Sequence, residues 1–289
     1  MSTPKKPFFS IIIPTLNEEK YLPTLLGDLA TQNYTDFEVI VVDGESTDST
    51  LSSARPFKKQ IALRTHISKK KNAGAQRNLG GQKAMGKWVI FMDADNRLPT
   101  YFLEGIKYQL AKQKKTDVFT SLLEVAEPEA KFKAIEQALN FALIVIRLLD
   151  KPGAYGALIG CKRSVLDTVR FDESLTFSED GQFVNSCHQA GFHFSLFREP
   201  RYTYSMRRLK AEGTLKTLKI SIPLLIRYTL GDDMHGVKSY VMLGGKYYDQ
   251  VFTREKSILS TIQNYIQTAS KKQLLKAQSI LTSLKKIEF

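Results

Sequence analysis

The stretch Trp88-Val-Ile-Phe-Met-Asp-Ala-Asp-Asn96 is an apolar run that ends in two carboxylates, Asp93 and Asp95. The apolar residues predict a buried strand, and residues i and i+2 of a strand point to the same side of the sheet. Both carboxylates can therefore face one ligand where the strand ends. Carboxylate oxygens suit Mg²⁺ or Mn²⁺, which keep open positions for phosphate oxygens. An ordinary polar turn explains the same residues, because Asp and Asn commonly end strands.

Strands and helices alternate over the first hundred residues. Apolar strands are predicted at 9–14, 37–42 and 61–67, and helices at 21–30 and 74–85. A short helix is also predicted after the turn at 44–48, and Pro56 is expected to end it. This alternation predicts right-handed β-α-β units and an α/β fold with a mostly parallel sheet. Such a sheet binds its ligand beyond the carboxyl ends of its strands. Seven polar residues follow four of these strands and are expected at that edge: Thr15, Asn17, Asp43, Asn72, Arg77, Asp93 and Asp95.

The second half of the chain is less regular. Helices are predicted at 101–112, 134–149 and 181–190, with a strand at 157–161 and the pair Glu179-Asp180 in a loop before the last helix. Residues 205–289 hold 15 Lys or Arg against 6 Asp or Glu and predict amphipathic helices at 215–230, 257–268 and 274–284. We therefore expect a first domain at 1–205, with halves 1–98 and 99–205, and a helical extension at 206–289.

Composition excludes several classes of protein. The net charge of +13 invites a nucleic-acid interpretation, but the lysines are dispersed and no DNA- or RNA-binding motif accompanies them, so no nucleic acid is expected. The apolar segment 141–146 is far shorter than the roughly 20 residues that span a bilayer. The amino terminus does not resemble a signal peptide, and two cysteines are too few for a disulfide framework. A cytoplasmic location is the expectation.

Five motifs follow one another in a fixed order. They are Ile-Pro-Thr-Leu-Asn-Glu at 13–18, Val-Val-Asp-Gly-Glu-Ser-Thr-Asp at 41–48, Asn-Ala-Gly-Ala-Gln-Arg-Asn at 72–78, Asp-Ala-Asp at 93–95 and Glu-Asp at 179–180. Each motif alone is weak evidence. In this order they resemble the family 2 glycosyltransferases, nucleotide-sugar enzymes of the GT-A fold, over about residues 8–208.

The resemblance implies a nucleotide pocket in the first half of the chain. Asp43 would contact the nucleobase, while Thr15 and Glu18 would help form the base and ribose pocket. Asp95 would bind a Mn²⁺ or Mg²⁺ ion that bridges the two phosphates, and Asp93 would contact the ribose or support the metal. The other expected nucleotide-binding residues are Pro14, Asn17, Asn72, Arg77 and Ala94. For Asp43, a turn-forming role at the strand end is the alternative, and for Arg77 a solvent-facing salt bridge.

The resemblance also implies a catalytic pair and a phosphate clamp. Glu179 and Asp180 lie where inverting members carry the catalytic base; we take Asp180 as the base and Glu179 as a residue that orients the loop or acceptor. An acidic N-cap for the following helix is compatible with that role. Arg207 and Arg208 could clamp the diphosphate, because guanidinium matches phosphate geometry, or could form a solvated basic face.

Together these implications predict an inverting, metal-dependent glycosyltransferase. It would move a sugar from a nucleoside diphosphate, with UDP expected, to a hydroxyl of a glycan or lipid-linked acceptor. The basic helices beyond residue 205 suggest contact with an anionic membrane surface, a lid, or packing on a subunit. A non-catalytic binding protein on a degenerate fold stays open. A sugar-phosphate nucleotidyltransferase would need a glycine-rich loop where this chain has Pro-Thr-Leu-Asn-Glu.

Overall fold

The computed structural model describes residues 6–148, 151–175, 178–207 and 210 of the 289-residue chain. The strands are β1 (Phe9–Thr15), β2 (Phe37–Asp43), β3 (Leu63–Ile67), β4 (Trp88–Met92), β5 (Val118–Val125), β6 (Leu158–Lys162) and β7 (Phe194–Tyr204). The helices are α1 (Leu22–Ala30), α2 (Thr50–Ala54), α3 (Ala73–Lys83), α4 (Phe102–Lys112), α5 (Ala130–Leu148) and α6 (Glu179–Gln189), with 3₁₀ helices at Arg55–Lys59 and Arg163–Asp167. The strands form one sheet in the order β3-β2-β1-β4-β6-β5-β7.

The first four strands are parallel, as predicted. β1 pairs with β2 and β4, and β2 pairs with β3. Thr15 is in register with Asp43, and Asp43 with Ile67, so these strands end at one level of the sheet. β2 and β4 are buried along their whole length, which is typical of parallel strands covered on both faces. The predicted α/β fold with a mostly parallel sheet is confirmed.

β6 runs antiparallel to β4 and begins beside its carboxyl end, where Leu158 is in register with Met92. β5 pairs antiparallel with β6 and parallel with β7. β7 also forms an isolated bridge to the loop after β4, between Thr203 and Arg97. The half of the sheet formed by β5, β6 and β7 is thereby attached to the strand that precedes the two carboxylates.

A cluster of three aromatic rings packs α6 against β4. The rings of Phe171 and Phe183 are stacked with centroids 4.1 Å apart, and Phe91 meets Phe171 edge-on at 5.0 Å. Phe91 and Phe183 are fully buried. Burial of each ring contributes roughly 2–3 kcal/mol to stability, so the start of α6 is held firmly against β4.

Several details of the structure differ from the prediction, and β7 (Phe194–Tyr204) is a strand that was not predicted. β5 was not predicted; Thr120 and Ser121 interrupt its apolar pattern, yet both are buried because their hydroxyls donate to carbonyl oxygens of β6 and β7. Pro56 does not end α2, which stops at Ala54; it lies in the first turn of the following 3₁₀ helix, where a missing N–H costs nothing. Helices α5 and α6 begin four and two residues before the predicted positions 134 and 181.

The helices predicted at 215–230, 257–268 and 274–284 lie outside the described residues, as does nearly all of the predicted extension at 206–289. The domain boundary at 205 therefore stays a prediction. Among the helices that the structure describes, none is both long enough and apolar enough to cross a membrane.

Candidate active site

Asp43, at the carboxyl end of β2, is held by the loops around it. Its Oδ1 accepts hydrogen bonds from Thr15 Oγ1 at 3.0 Å and Ser46 Oγ at 2.5 Å, and its Oδ2 accepts from Ser46 N at 2.8 Å. Only 1% of the residue is exposed. Asp43 therefore does form a turn, as the alternative interpretation proposed, and the same bonds fix the orientation of its carboxylate. The predicted contact with a nucleobase stays a prediction.

The loop after β1 is bonded to the loop after β2. Asn17 N donates to Ser46 Oγ at 2.8 Å, Thr47 N donates to Asn17 Oδ1 at 2.8 Å, and Glu18 N donates to Thr50 Oγ1 at 2.7 Å. Asn17 adopts a left-handed φ of 55°, which asparagine tolerates better than most residues. The two loops that carry the predicted nucleotide pocket, with Pro14 near the end of β1, thus form one interlocked unit.

The carboxylates Asp93 and Asp95 follow β4 as predicted. The side chain of Asp93 is 39% exposed, Asp95 is partly exposed, and Ala94 between them is buried. Within the described part of the chain, no group of three or more His, Cys, Asp or Glu side chains could enclose a metal ion. Two carboxylates nevertheless fit Mg²⁺ or Mn²⁺, because such ions take one or two protein carboxylates and fill other positions with water and substrate phosphates. The metal site stays a prediction.

Asn96, which follows Asp95, is 1% exposed. Its Nδ2 donates to Ala157 O at 2.5 Å, and its Oδ1 is buried without a partner. The same carbonyl of Ala157 accepts from Asp93 N at 3.3 Å. The turn after β4 is therefore fastened to the residues that lead into β6.

Arg77 lies at the centre of the site rather than in solvent. Its guanidinium is buried and donates to Glu179 Oε1 at 2.7 Å, Asp93 Oδ1 at 3.1 Å and Gly156 O at 3.1 Å. Burial acts to lower the pKa of Arg77, but Glu179, Asp93 and Asp180 around it outweigh that effect and raise the pKa. The interpretation of Arg77 as a solvent-facing salt bridge is wrong, because three elements close over it. Its predicted contact with the nucleotide is untested.

Asp180 is held by two backbone amides. Gly156 N donates to its Oδ2 at 2.5 Å, and Gly181 N donates to its Oδ1 at 2.7 Å. Burial of the carboxylate and the nearby charge of Glu179 raise the pKa of Asp180 to about 6, although Arg77 and the two amides act in the opposite direction. A carboxylate with a pKa near neutrality suits a general base, because it is ionised at neutral pH yet still accepts a proton.

The start of α6 differs from the expected acidic N-cap. Ser178, with a left-handed φ of 59°, precedes the helix, so Glu179 and Asp180 form its first turn. Carboxylates in a first helical turn are stabilised by the helix dipole. The acidic pair therefore lies inside the helix, where the backbone fixes both side-chain directions more firmly than a loop would.

Gly156 is a residue that sequence reasoning missed. A Cβ added to Gly156 would lie 3.0 Å from both Arg77 Nη2 and Asp180 Oδ2, closer than ordinary contacts allow. The residue is a glycine because two charged side chains approach its backbone. The sequence shows only a glycine before a predicted strand, which is equally typical of a turn, so no local signal marks its role.

Asn72 and the predicted arginine clamp are the remaining candidates. Asn72 caps α3, since its Oδ1 accepts from Ala75 N at 3.0 Å, and its Nδ2 donates to Leu175 O at 2.9 Å. Arg208 lies outside the described residues, and Arg207 stands at their margin. The diphosphate clamp therefore stays a prediction.

The model of glycosyl transferase family 2 matches residues 10–170, which is more than half of the chain. The chain belongs to glycosyl transferase family 2. The match covers four of the five motifs, those at 13–18, 41–48, 72–78 and 93–95, and ends before Glu179-Asp180. The predicted resemblance to this family is confirmed.

Two curated relatives illustrate where the chain falls among family 2 proteins. The poly(ribitol-phosphate) β-N-acetylglucosaminyltransferase TarS of Staphylococcus aureus is 28% identical over 209 residues, which cover 69% of this chain and 36% of TarS. A PGL/p-HBAD biosynthesis glycosyltransferase of Mycobacterium bovis is 43% identical over 94 residues, covering 32% of this chain and 37% of the relative. The chain thus spans little more than a third of the length of these relatives.

Solved structures of glycosyltransferases share the fold. The mannosyltransferase PcManGT of Pyrobaculum calidifontis, in complex with GDP-Man and Mn²⁺, aligns with a TM-score of 0.64 at 18% identity, covering 99% of this chain and 77% of that one. TarS 1-349 in complex with UDP aligns with a TM-score of 0.56 at 23% identity, covering 76% of this chain and 65% of that one. At these identities the likeness supports the GT-A fold.

Proposed function

We propose that this family 2 protein is an inverting, metal-dependent glycosyltransferase that moves a sugar from a nucleoside diphosphate, UDP being the expected nucleotide, to a hydroxyl group. One observation carries the proposal: Asp180, with a pKa raised to about 6, accepts from the backbone N–H of Gly156, and Arg77 donates both to Gly156 O and to Asp93 at the carboxyl edge of the sheet. A group able to accept a proton therefore lies in the same network as a predicted donor ligand.

Asp180 would act as the general base. Each of its oxygens accepts one backbone N–H, which fixes the carboxylate and leaves a second lone pair on each oxygen for the acceptor hydroxyl. The proton of that hydroxyl would move to Asp180 as the hydroxyl oxygen attacks the anomeric carbon from the face opposite the nucleotide. Glu179, bonded to Arg77, would orient the turn rather than take the proton.

The nucleotide would occupy the interlocked loops after β1 and β2. Asp43 would contact the base, with Thr15 and Glu18 beside the base and ribose. The remaining proposed nucleotide contacts are Pro14, Asn17, Asn72, Asp93 and Ala94. The resemblance also implies a nucleotide contact for Arg77, but its guanidinium is bonded to Glu179, Asp93 and Gly156, and a different role is proposed for it below. Asp95 and Asp93 would hold Mn²⁺ or Mg²⁺, which would offset the negative charge that develops on the phosphates as the sugar leaves.

The acceptor is proposed to be a glycan or a lipid-linked glycan. The name of TarS describes a poly(ribitol-phosphate) acceptor, and the basic composition of residues 205–289 fits an anionic acceptor or membrane surface. Flotation with anionic vesicles at low salt tests the membrane part of this proposal. Absence of co-migration would reject that part and leave a lid or a subunit contact as the role of the extension.

Thermal stabilisation by UDP, GDP, CMP and TDP, each with and without Mn²⁺, tests the proposal. One nucleotide should stabilise the wild type in a Mn²⁺-dependent manner, and Asp95→Ala should lose that dependence. Asp180→Asn should still bind the nucleotide but should no longer transfer the sugar of UDP-N-acetylglucosamine or GDP-mannose to water, the acceptor in this assay, with release of UDP or GDP. If none of the four nucleotides stabilised the wild type, the non-catalytic interpretation would be favoured.

A further inference from the structure

Helix α3 and its cap hold the segment that leads to the proposed base. Three of its side chains, Asn72, Arg77 and Asn78, each bond to a different point of residues 171–179. All three belong to the motif at 72–78, from which the sequence predicted nucleotide contacts. In the structure their bonds lead to the acceptor side of the site.

Asn78 makes the most extensive of these contacts. Its Oδ1 accepts from Phe171 N at 3.0 Å and its Nδ2 donates to Phe171 O at 2.9 Å, so the side chain pairs with both polar groups of one residue. Nδ2 also lies 3.0 Å from Glu173 Oε1. An amide is the one uncharged side-chain group that supplies a donor and an acceptor in this geometry. Asn78 thereby fixes the backbone at the start of the segment.

Arg77 fixes the other end. It bonds to Glu179, and its guanidinium carbon lies 5.4 Å from the ring centre of Phe171. Phe171 is in turn stacked on Phe183 of α6. Two adjacent residues of α3 therefore hold both ends of a segment whose last turn carries Asp180.

The middle of the segment is held as well. Asn72 Nδ2 donates to Leu175 O at 2.9 Å, and Lys70 Nζ forms an ion pair with Glu173 at 2.5 Å. The lysine pair is exposed and contributes little energy. The contacts of Asn72, Arg77 and Asn78 are buried or partly buried, and these are the contacts that can fix the position of the segment.

We propose that Arg77 and Asn78 are positioning residues that hold residues 171–175 and 178–180 so that the Asp180 carboxylate stands at a fixed place beside Gly156. They act through Glu179 and Phe171 and do not bind the nucleotide. The inference rests on the proposed function for the role of Asp180. A displacement of about 1 Å in a catalytic group can cost about 10²-fold in rate, so these contacts would govern turnover rather than donor binding.

Two variants and a matched control test this inference. Asn78→Asp keeps the acceptor for Phe171 N and removes the donor to Phe171 O and Glu173, at a position that is only partly buried. Arg77→Lys keeps the charge but cannot reach Glu179, Asp93 and Gly156 together. Gln82→Ala alters an exposed residue on the same helix and serves as the control.

The first measurement is amide hydrogen exchange in the absence of nucleotide. Both variants should exchange faster than wild type in residues 171–175 and 178–184, with unchanged exchange in residues 43–50, and Gln82→Ala should match wild type throughout. Unchanged exchange in residues 171–184 of both variants would overturn the inference whatever the enzyme does. Faster exchange in both variants, together with no nucleotide binding by the wild type, would support the positioning role of Arg77 and Asn78 and reject the proposed function.

The second measurement separates turnover from binding. With UDP and Mn²⁺ as the binding probe, the half-saturating UDP concentration should change less than about twofold in both variants, while kcat for nucleotide release from UDP-N-acetylglucosamine or GDP-mannose falls roughly 10–100-fold. A tenfold weaker binding of UDP to Arg77→Lys, with normal kcat, would instead identify Arg77 as a phosphate ligand and overturn the inference.

Discussion

The backbone N–H of Gly156 lies 2.5 Å from Oδ2 of Asp180, and a Cβ at Gly156 would approach the same oxygen to 3.0 Å. The contact therefore requires glycine at this position. In Gly156→Ala the carboxylate must move by a few tenths of an ångström, and the bond to Gly156 N must lengthen.

We expect Gly156→Ala to lower kcat for nucleotide release roughly tenfold and to leave stabilisation by UDP and Mn²⁺ unchanged. Gly27→Ala is the matched control. Gly27 lies in α1, and a Cβ added there would meet only Phe57, at an ordinary contact distance of 3.9 Å. That variant should keep full activity and gain roughly 0.5–1 kcal/mol in stability, since alanine favours a helix over glycine. Equal activity of the two variants would contradict the role of Gly156.

The rate should depend on pH through Asp180. Because the pKa of Asp180 is raised to about 6, the base is protonated and inactive at pH 5 and ionised at pH 7. We expect kcat for nucleotide release to rise with pH through about 6 and then to level off. Asp180→Asn should abolish this rise together with the activity. A rate that is flat between pH 5 and 7 would show that another group takes the proton.

Glu179→Gln should shift the same pH profile. The negative charge of Glu179 helps raise the pKa of Asp180, so its removal should lower that pKa and move the rise in kcat to a lower pH. Activity should persist at pH 7, reduced by the loss of one charged partner of Arg77. Loss of all activity with no residual pH-dependent rise would instead make Glu179 the base.

Asp180 should also lower stability at neutral pH. Its pKa in the folded protein, about 6, exceeds the ordinary value of 3.8, so the folded state binds the proton more tightly than the unfolded state. The stability that the protonated group contributes is present below pH 3.8 and is lost as the pH rises through about 6. Asn does not titrate, and its loss of one amide acceptor affects both pH values alike. The stability of Asp180→Asn relative to wild type should therefore rise by roughly 1–2 kcal/mol between pH 4 and pH 7.5, a figure reduced because solvent screens a partly exposed group. Urea denaturation at pH 4 and 7.5 measures the difference, and equal effects at both pH values would contradict it.

Asp43→Asn should weaken nucleotide binding. The substitution removes the charge and replaces one acceptor oxygen with an NH₂ group, which cannot accept from Thr15 and Ser46 as the carboxylate does. We expect at least tenfold weaker stabilisation by UDP, measured as the half-saturating concentration. Asp36→Asn, just before the other end of the same strand, should leave nucleotide binding as in wild type.

The first half of the fold was predictable because its signals are local. Apolar runs and the polar residues after them identified β1, β2 and β4, and the rule that parallel strands present their carboxyl ends together brought Thr15, Asp43 and Asp93 to one edge. β5 escaped detection because Thr120 and Ser121 look like exposed residues until β6 and β7 supply acceptors for their hydroxyls.

The partners within the site were not predictable for a similar reason. Arg77 and Glu179 are separated by 102 residues in sequence, and nothing near Arg77 indicates that its side chain is buried. Gly156 carries no chemical group that could mark it as a member of the site. Contacts of this kind depend on which elements become neighbours, and a single sequence does not contain that information.

The antiparallel pairing of β6 with β4 fixes a distance across the proposed active site. Leu158 pairs with Met92, and Ala157 O accepts from Asp93 N, so the hydrogen-bond ladder between β4 and β6 continues into the residues that contact Asp180. A slip of one residue in this pairing would move Gly156 by about 3.3 Å relative to Asp93. The spacing between Asp93 and Gly156, and with it the place of the proposed base Asp180, is thus set by strand register. Loops elsewhere along this edge of the sheet can therefore differ in length without changing that spacing.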